Sequence, residues 1–308
     1  MKRRTLLASA AVIATVAMLA AGCGSSSSSS AAGDTTASTP SGPTINLRGQ
    51  DFSESVTIAE VYGQYLKAKG YDVNILKPAG FRTEALDGLK NKDLDLIVDY
   101  IGGDQAALAP DAKPSGDPAA VAKSIAPLLA KQGSTLLDFS PATDGDAFVV
   151  RGDSTASTIS DVKGLDYVFG ASSQCFTRPQ CYLGLTSPNV YGITFKGKKT
   201  LEFGPLLGEA LKAKQVDAVI WNTTAPQIAA EGFKVLTDDK ALFPAQNIAP
   251  IVRTEVLDAY GPQLAADLNT LSAKITTADL LAWNTSTDID KQESPQVATD
   301  WLTAKGLN

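Results

Sequence analysis

The chain of 308 residues contains no histidine. Its absence excludes Ser-His and Cys-His nucleophilic pairs and removes the commonest metal ligand. The sequence also lacks the G-x-S-x-G motif, which presents a catalytic serine on a sharp turn. Carboxylates are plentiful, but abundance alone does not indicate the placed pair that glycoside hydrolysis needs. We therefore expect a non-enzyme that holds no metal or cofactor, with a cell-surface hydrolase as the least favoured alternative.

Long apolar runs are also scarce. The one present, Leu6–Ala21, follows basic residues at positions 2–4 and is shorter than the roughly 20 residues of a membrane-spanning helix, so we expect a secretory signal. The Leu-Ala-Ala-Gly-Cys segment at 19–23 resembles the lipobox of bacterial lipoproteins, in which the cysteine is lipidated before cleavage. We predict a signal peptide at residues 1–22 and lipidation of Cys23. An ordinary signal with a chance cysteine is the alternative.

Large apolar side chains are missing from the segment that follows Cys23. Residues 24–43 are Ser, Ala, Thr, Gly and Pro with the single acid Asp34, and such a composition cannot bury enough surface to offset the entropy of ordering. We predict a disordered tether at residues 23–44. The protein is then expected to be exported and held on the outer face of the cytoplasmic membrane by its lipid anchor only.

Basic residues are outnumbered by acidic ones. Without residues 1–22 the chain has 24 basic and 33 acidic residues, a net charge of −9. Because a body this acidic repels phosphate backbones and anionic lipid, we expect no nucleic-acid partner.

Cysteine is rare, with three residues in the whole chain. If Cys23 is lipidated, Cys175 and Cys181 remain in an oxidising compartment, where a disulfide between them is the expected outcome. Closing so short a loop contributes about 2 kcal/mol by the chain-entropy relation. The alternative is a pair of metal thiolates, for which the chain offers no further Cys or His ligand.

Residues 45–308 contain short apolar segments that alternate between strand and helix periodicity. The predicted strands are Ile45–Arg48, Val73–Leu76, Leu94–Val98, Ala147–Val150, Tyr167–Gly170, Val216–Ile220 and Ile248–Val252. The predicted helices are a first one that ends at Gly70, Arg82–Lys90, Pro118–Lys131, Leu206–Lys214, and three stripes at Leu264–Ile275, Leu280–Trp283 and Val297–Leu302. Asp51 with Glu54 three residues later predicts a capping box for the first helix. The alternation predicts an α/β fold with largely parallel sheets and helices on both faces.

Two passages with similar sequences suggest two similar lobes. Residues 84–98 and 209–220 each run from Glu-Ala-Leu through a polar turn into a strand. Ligands of open parallel sheets bind beyond the carboxyl ends of the strands, so the predicted site residues are Asp51, Ser53 and Tyr100 from one lobe and Trp221 and Asn222 from the other. For Trp221, core packing is an equal alternative. The expected design is a cleft that closes around a solute.

Several segments resemble the substrate-binding proteins of osmoprotectant ABC importers, which take up glycine betaine, choline and carnitine. They are Gln50–Glu54, Glu60–Tyr62, Asp95–Gly102, Phe243–Arg253, Leu271–Thr276 and Trp301–Gly306. The resemblance implies a type II periplasmic-binding fold with lobe I at residues 45–147 and 251–308, lobe II at 148–250, and two crossing hinge strands. It also implies an ABC permease with a cytoplasmic ATPase as partner, and we expect a monomer.

The same resemblance predicts the ligand contacts. In that family a box of tyrosines holds the quaternary ammonium by cation–π attraction, and Tyr100 occupies the first position of the box. The other three positions hold Asp146, Asn222 and Gln246. These polar groups favour a ligand with N–H or O–H donors. We expect Asp146 to face a cationic group of the ligand and Arg178 to face a carboxylate of the ligand. The hypothesis is a small polar zwitterion or amine; the alternative is that Asp146 and Arg178 are solvated rim charges.

The predicted function is therefore solute capture in the cleft and delivery to the permease. A sensory receptor that uses the same clamp is the alternative, and the sequence does not separate the two. Other aromatic residues lie on apolar helix stripes and are predicted to be core: Tyr62, Tyr65, Trp283 and Trp301.

Overall fold

The computed structural model describes residues 40–308. The predicted signal peptide, the lipidation at Cys23 and most of the predicted tether lie outside the described residues. Within the described part of the chain, no helix is both long and apolar enough to cross a membrane.

Two five-stranded sheets form the framework. The first has the order β2-β1-β3-β10-β4. Its strands are β1 (Ile45–Leu47), β2 (Val73–Ile75), β3 (Leu96–Tyr100), β4 (Ser134–Leu136) and β10 (Ile248–Arg253). Strand β1 pairs in parallel with β2 and β3, whereas β10 pairs antiparallel with β3 and β4.

The second sheet repeats this plan with the order β7-β6-β8-β5-β9. Its strands are β5 (Asp146–Val150), β6 (Val168–Ala171), β7 (Gly197–Thr200), β8 (Ala218–Asn222) and β9 (Lys234–Leu236). Strand β6 is parallel to β7 and β8, and β5 is antiparallel to β8 and β9. In each sheet, therefore, four strands share a direction and one opposes them.

Helices pack on both sheets. They are α1 (Ser53–Ala68), α2 (Arg82–Asn91), α3 (Ile101–Leu108), α4 (Pro118–Lys131), α5 (Gly184–Thr186), α6 (Pro205–Lys212), α7 (Pro226–Ala230), α8 (Thr254–Tyr260), α9 (Pro262–Ser272), α10 (Thr277–Asn284) and α11 (Ser294–Lys305). The expected α/β fold is confirmed. The opposed strands β5 and β10 are those at which the chain enters the second sheet and returns to the first.

The core of the first sheet contains the aromatic residues that the helix stripes predicted. Tyr62, Tyr65 and Trp283 are at most 2% exposed, and Trp301 is 9% exposed. The Tyr62 hydroxyl is paired with Ser272 at 2.8 Å, so its polar atom is satisfied inside the core. Trp283 and Trp301 pack edge to face with ring centroids 5.2 Å apart.

The predicted capping box at the start of α1 is wrong. The helix begins at Ser53, Phe52 holds the N-cap position, and no side chain caps it. Asp51 is exposed. Glu54 is unavailable to the helix end because its carboxylate accepts three hydrogen bonds in the interior.

Candidate functional site

A buried carboxylate links the two sheets. Glu54, near the start of α1, is 3% exposed. Its Oε1 accepts a hydrogen bond from the Tyr100 hydroxyl at 2.6 Å, and Tyr100 is the last residue of β3 in the first sheet. Its Oε2 accepts from the hydroxyl of Thr224, just beyond β8 of the second sheet, at 2.6 Å, and from Asn284 Nδ2, at the end of α10, at 2.5 Å. One carboxylate thus joins the carboxyl ends of strands from both sheets.

A second carboxylate, Asp144, lies beside the first on the segment that enters the second sheet. It accepts hydrogen bonds from the backbone N–H of Thr224 at 3.2 Å and from Asn222 Nδ2 at 3.3 Å. Burial and the neighbouring Glu54 raise the pKa of Asp144 well above its ordinary value. Burial likewise raises the pKa of Glu54, although its three hydrogen bonds oppose the shift. The two carboxyl groups thus lie close together in a poorly solvated place, where a nearby positive charge would favour their ionised forms.

A cavity of about 220 Å³ opens next to this pair. Its lining consists of Phe52, Ser53, Glu54, Asp144, Phe203, Gly204, Pro205, Trp221, Asn222, Ala225, Gln227, Asn284, Asp288 and Lys291. Three of these residues are aromatic, three are carboxylates and one, Lys291, is a cation. The volume is below the roughly 300–1,000 Å³ of sites for drug-sized ligands, so the cavity suits a small solute.

Some of the sequence-predicted site residues meet at this cavity. Ser53, Trp221 and Asn222 line it, and the Ser53 hydroxyl donates to Asp288 at 2.7 Å. Tyr100 does not line it but lies one contact away through Glu54. The exposed Asp51 is outside the lining.

The other predicted residues already have partners inside the protein. Arg178 Nη2 lies 2.5 Å from Asp146 Oδ2, and the Gln246 side-chain oxygen accepts the backbone N–H of Gly103 at 2.9 Å. Asn222 donates to Asp144 and, at 3.0 Å, to Thr224. Each of the three polar box positions therefore has at least one partner within the protein in this conformation.

Arg178 is positioned by the cysteine loop. A disulfide joins Cys175 and Cys181, whose Cα atoms are 5.3 Å apart. The backbone N–H of Arg178 donates to Cys175 O, and the N–H of Cys181 donates to Arg178 O, each at 3.2 Å. The closed loop thus presents the guanidinium to Asp146 at the start of β5.

A second charged cluster surrounds Tyr100. The Arg82 guanidinium lies over the Tyr100 ring, 6.0 Å from its centroid. Its Nη2 is 2.9 Å from Asp99 Oδ1 and its Nε is 3.4 Å from Asp104 Oδ1. The ring of Phe52 stacks on Tyr100 with centroids 6.2 Å apart, so Phe52 borders both the cavity and this cluster.

Sequence reasoning missed the residues at the centre of this arrangement. Glu54 and Asn284 are 230 positions apart, and no local pattern relates them. Thr224 could have been predicted because it lies two residues beyond Asn222, and ligands of open parallel sheets bind beyond the carboxyl ends of the strands. Asp144 lies two residues before the start of β5 and has no comparable signal. Arg82 was assigned only to the start of a helix.

Comparison with known proteins identifies the relatives of this chain. A family model described as the substrate binding domain of the ABC-type glycine betaine transport system matches residues 43–304. A glycine-betaine-binding protein of Pseudomonas aeruginosa is 26% identical over 283 residues, which cover 86% of this chain and 89% of that protein. The carnitine transport binding protein OpuCC of Listeria monocytogenes is 31% identical over 112 residues, 36% of each chain.

Solved structures show the same fold. The crystal structure of a glycine betaine/carnitine/choline ABC transporter matches with a TM-score of 0.74 at 24% identity, covering 85% of this chain and 99% of that one. Lactococcal OpuAC, in its closed form with glycine betaine, matches with a TM-score of 0.61 at 18% identity, covering 85% and 96% of the two chains.

Proposed function

Because this chain belongs to the family of substrate-binding domains of ABC-type glycine betaine transport systems, we propose that it holds a small quaternary ammonium solute between its two sheets. The solute occupies the cavity bordered by Phe52, Glu54 and Trp221 and is passed unchanged to the permease. Like its relatives, the chain is a solute-binding protein. The observation that supports this ligand is that aromatic residues line one cavity together with the buried carboxylate of Glu54 and the half-buried carboxylate of Asp144.

The charge of the cavity favours a cation. Glu54 and Asp144 have raised pKa values because burial disfavours their charged forms, and the nearby Glu54 adds to the shift in the pKa of Asp144. A cation bound within a few ångströms would favour both carboxylates in their ionised state. The one cationic side chain in the lining is Lys291, which suits the carboxylate end of a betaine.

The hydrogen bonding of the cavity favours a cation without N–H groups. Glu54 accepts from three donors, and Asp144 accepts from the Thr224 backbone and Asn222. Trimethylammonium has no N–H to donate, and Phe52, Phe203 and Trp221 lie in the lining of the cavity, where a cation–π contact with a ring would contribute about 0.5–2 kcal/mol. The polar box positions, which suggested an N–H donor, each have a partner within the protein.

A second candidate is a solute with N–H donors, such as a primary amine or amino acid. It is favoured by Asn284, whose buried Oδ1 accepts no hydrogen bond from residues 40–308. An ammonium N–H in the cavity could satisfy that oxygen, which trimethylammonium cannot do.

Isothermal titration with matched pairs separates the two candidates. The pairs are glycine betaine with glycine, and choline with ethanolamine, which differ mainly in N-methylation. We expect the methylated member of each pair to bind at least about tenfold tighter, a difference of about 1.4 kcal/mol. Tighter binding of glycine or ethanolamine would favour the second candidate, and no binding by any of the four would reject the cavity as their site.

We propose further that the protein acts outside the cytoplasm as a monomer, anchored through lipidated Cys23 and a tether at residues 23–44. The lipobox-like segment at 19–23 and the Ser- and Ala-rich composition that follows support this arrangement. Mass spectrometry of the native protein should find an N-terminal Cys23 with attached acyl chains. An unmodified residue there would contradict the anchor.

A further inference from the structure

The Arg82 side chain lies in a slot between β3 and α3. Its guanidinium contacts Asp99 through Nη2 at 2.9 Å and Asp104 through Nε at 3.4 Å. The guanidinium carbon is 6.0 Å from the centroid of the Tyr100 ring, within the range of a cation–π contact. A protein cation thus occupies one face of the aromatic residue at which the sequence predicts the solute.

The slot is shaped for this occupant. Both carboxylates are fully buried, so their charge requires a counterion close by. Gly103 provides the floor, because a Cβ at that position would overlap the guanidinium carbon. Three elements therefore hold Arg82 in place: the end of β3, the first turn of α3, and the start of its own helix α2.

Arg82 does not pair with all of the carboxylate oxygens in the slot. Asp99 Oδ2 and Asp104 Oδ2 are buried and accept no hydrogen bond within residues 40–308. Burial and the adjacent Asp99 raise the pKa of Asp104 well above its ordinary value. With its guanidinium removed, the slot would be an acidic pocket against an aromatic ring, which is the chemistry that binds a small organic cation.

We propose that Arg82 is a specificity-determining residue: it fills a cation position beside Tyr100 and so confines the solute to the neighbouring cavity. This inference rests on the proposed function, because it takes the solute to be a cation. The slot and the cavity share a wall, since Phe52 stacks on Tyr100 at 6.2 Å and lines the cavity. Arg82 therefore limits the length of the solute and repels a second positive group at the Tyr100 side.

Removing the guanidinium tests the proposal. We expect Arg82→Ala to bind tetramethylammonium about two- to thirtyfold tighter than the wild type, the range that one cation–π contact allows. Millimolar guanidinium should raise the melting temperature of Arg82→Ala by more than that of the wild type. Adding Asp104→Asn to Arg82→Ala should reduce both effects, because it removes one carboxylate of the slot.

Arg82→Gln is the second variant, since it keeps most of the side-chain volume and is a safeguard if Arg82→Ala does not fold. It too should bind tetramethylammonium more tightly than the wild type. Equal binding by the wild type and every folded Arg82 variant would overturn the proposal. Binding of glycine betaine or choline to the wild type reports separately on the proposed function. If the wild type binds one of them and the variants gain no affinity for tetramethylammonium, only the role of Arg82 is rejected. If the variants gain affinity for tetramethylammonium but the wild type binds neither glycine betaine nor choline, only the proposed function is rejected.

Discussion

Replacing Glu54 by Gln is expected to weaken the binding of glycine betaine or choline at least about thirtyfold. Truncating one partner of a buried charge pair typically costs 2 kcal/mol or more, and this substitution removes the charge while keeping the shape. Glu54 is the carboxylate at which Tyr100, Thr224 and Asn284 converge. Titration calorimetry on the purified variant measures the change directly.

The pH dependence of binding provides a second readout for the same variant. Since burial raises the pKa of Glu54 and Asp144 in the free protein, a bound cation releases protons, and affinity should fall as the pH drops through these raised values. Asp144 remains in Glu54→Gln, so its pH dependence should be shallower rather than absent. Asp51→Asn is the matched control, because Asp51 is exposed and outside the cavity. Wild-type affinity in Glu54→Gln would place the solute elsewhere.

Replacing Asp95 by Ala is expected to lower the free energy of unfolding by about 3 kcal/mol. Asp95 Oδ1 accepts from Arg253 Nη1 at 2.7 Å, and Asp95 Oδ2 accepts from the backbone N–H and side chain of Asn46, each at 2.9 Å. The Arg253 and Asp95 side chains are 10% and 7% exposed, so the substitution leaves a buried guanidinium and a backbone donor without this partner. Urea unfolding followed by circular dichroism measures the loss.

An exposed ion pair serves as the control for Asp95. Lys212 and Glu231 are 2.9 Å apart with side chains 55% and 36% exposed, and Lys212→Gln should change the free energy of unfolding much less than Asp95→Ala does. If Asp95→Ala loses no more than Lys212→Gln, the buried pair of Asp95 and Arg253 contributes little to the fold.

Local signals predicted the elements of the fold well where they were strong. Helix α4 runs over Pro118–Lys131 as predicted, because Pro118 starts it and the Asp117 side chain caps Ala119. Strand β3 was predicted at Leu94–Val98 but spans Leu96–Tyr100. The apolar run indicated a strand there, whereas its end depends on pairing with β10, where Ile248 lies opposite Tyr100. That partner is too distant in the chain to be seen in a local pattern.

The candidate site was predictable only in part, for a related reason. The strand-end rule found Trp221 and Asn222, which line the cavity. Glu54 was misassigned because Asp-x-x-Glu before an apolar stripe also describes a capping box, and only the tertiary fold reveals the interior partners that its carboxylate prefers. Asp146 and Gln246 were assigned to the ligand because a single sequence does not show that Arg178 pairs with Asp146 and that the Gly103 backbone donates to Gln246.

We propose that a quaternary ammonium solute binds in the cavity beside Glu54, and a crystal structure of the protein with choline is the decisive test. We expect density for the trimethylammonium group among the rings of Phe52, Phe203 and Trp221, within a few ångströms of the Glu54 carboxylate. Density for choline beside Asp146 and Arg178, with this cavity empty, would contradict it.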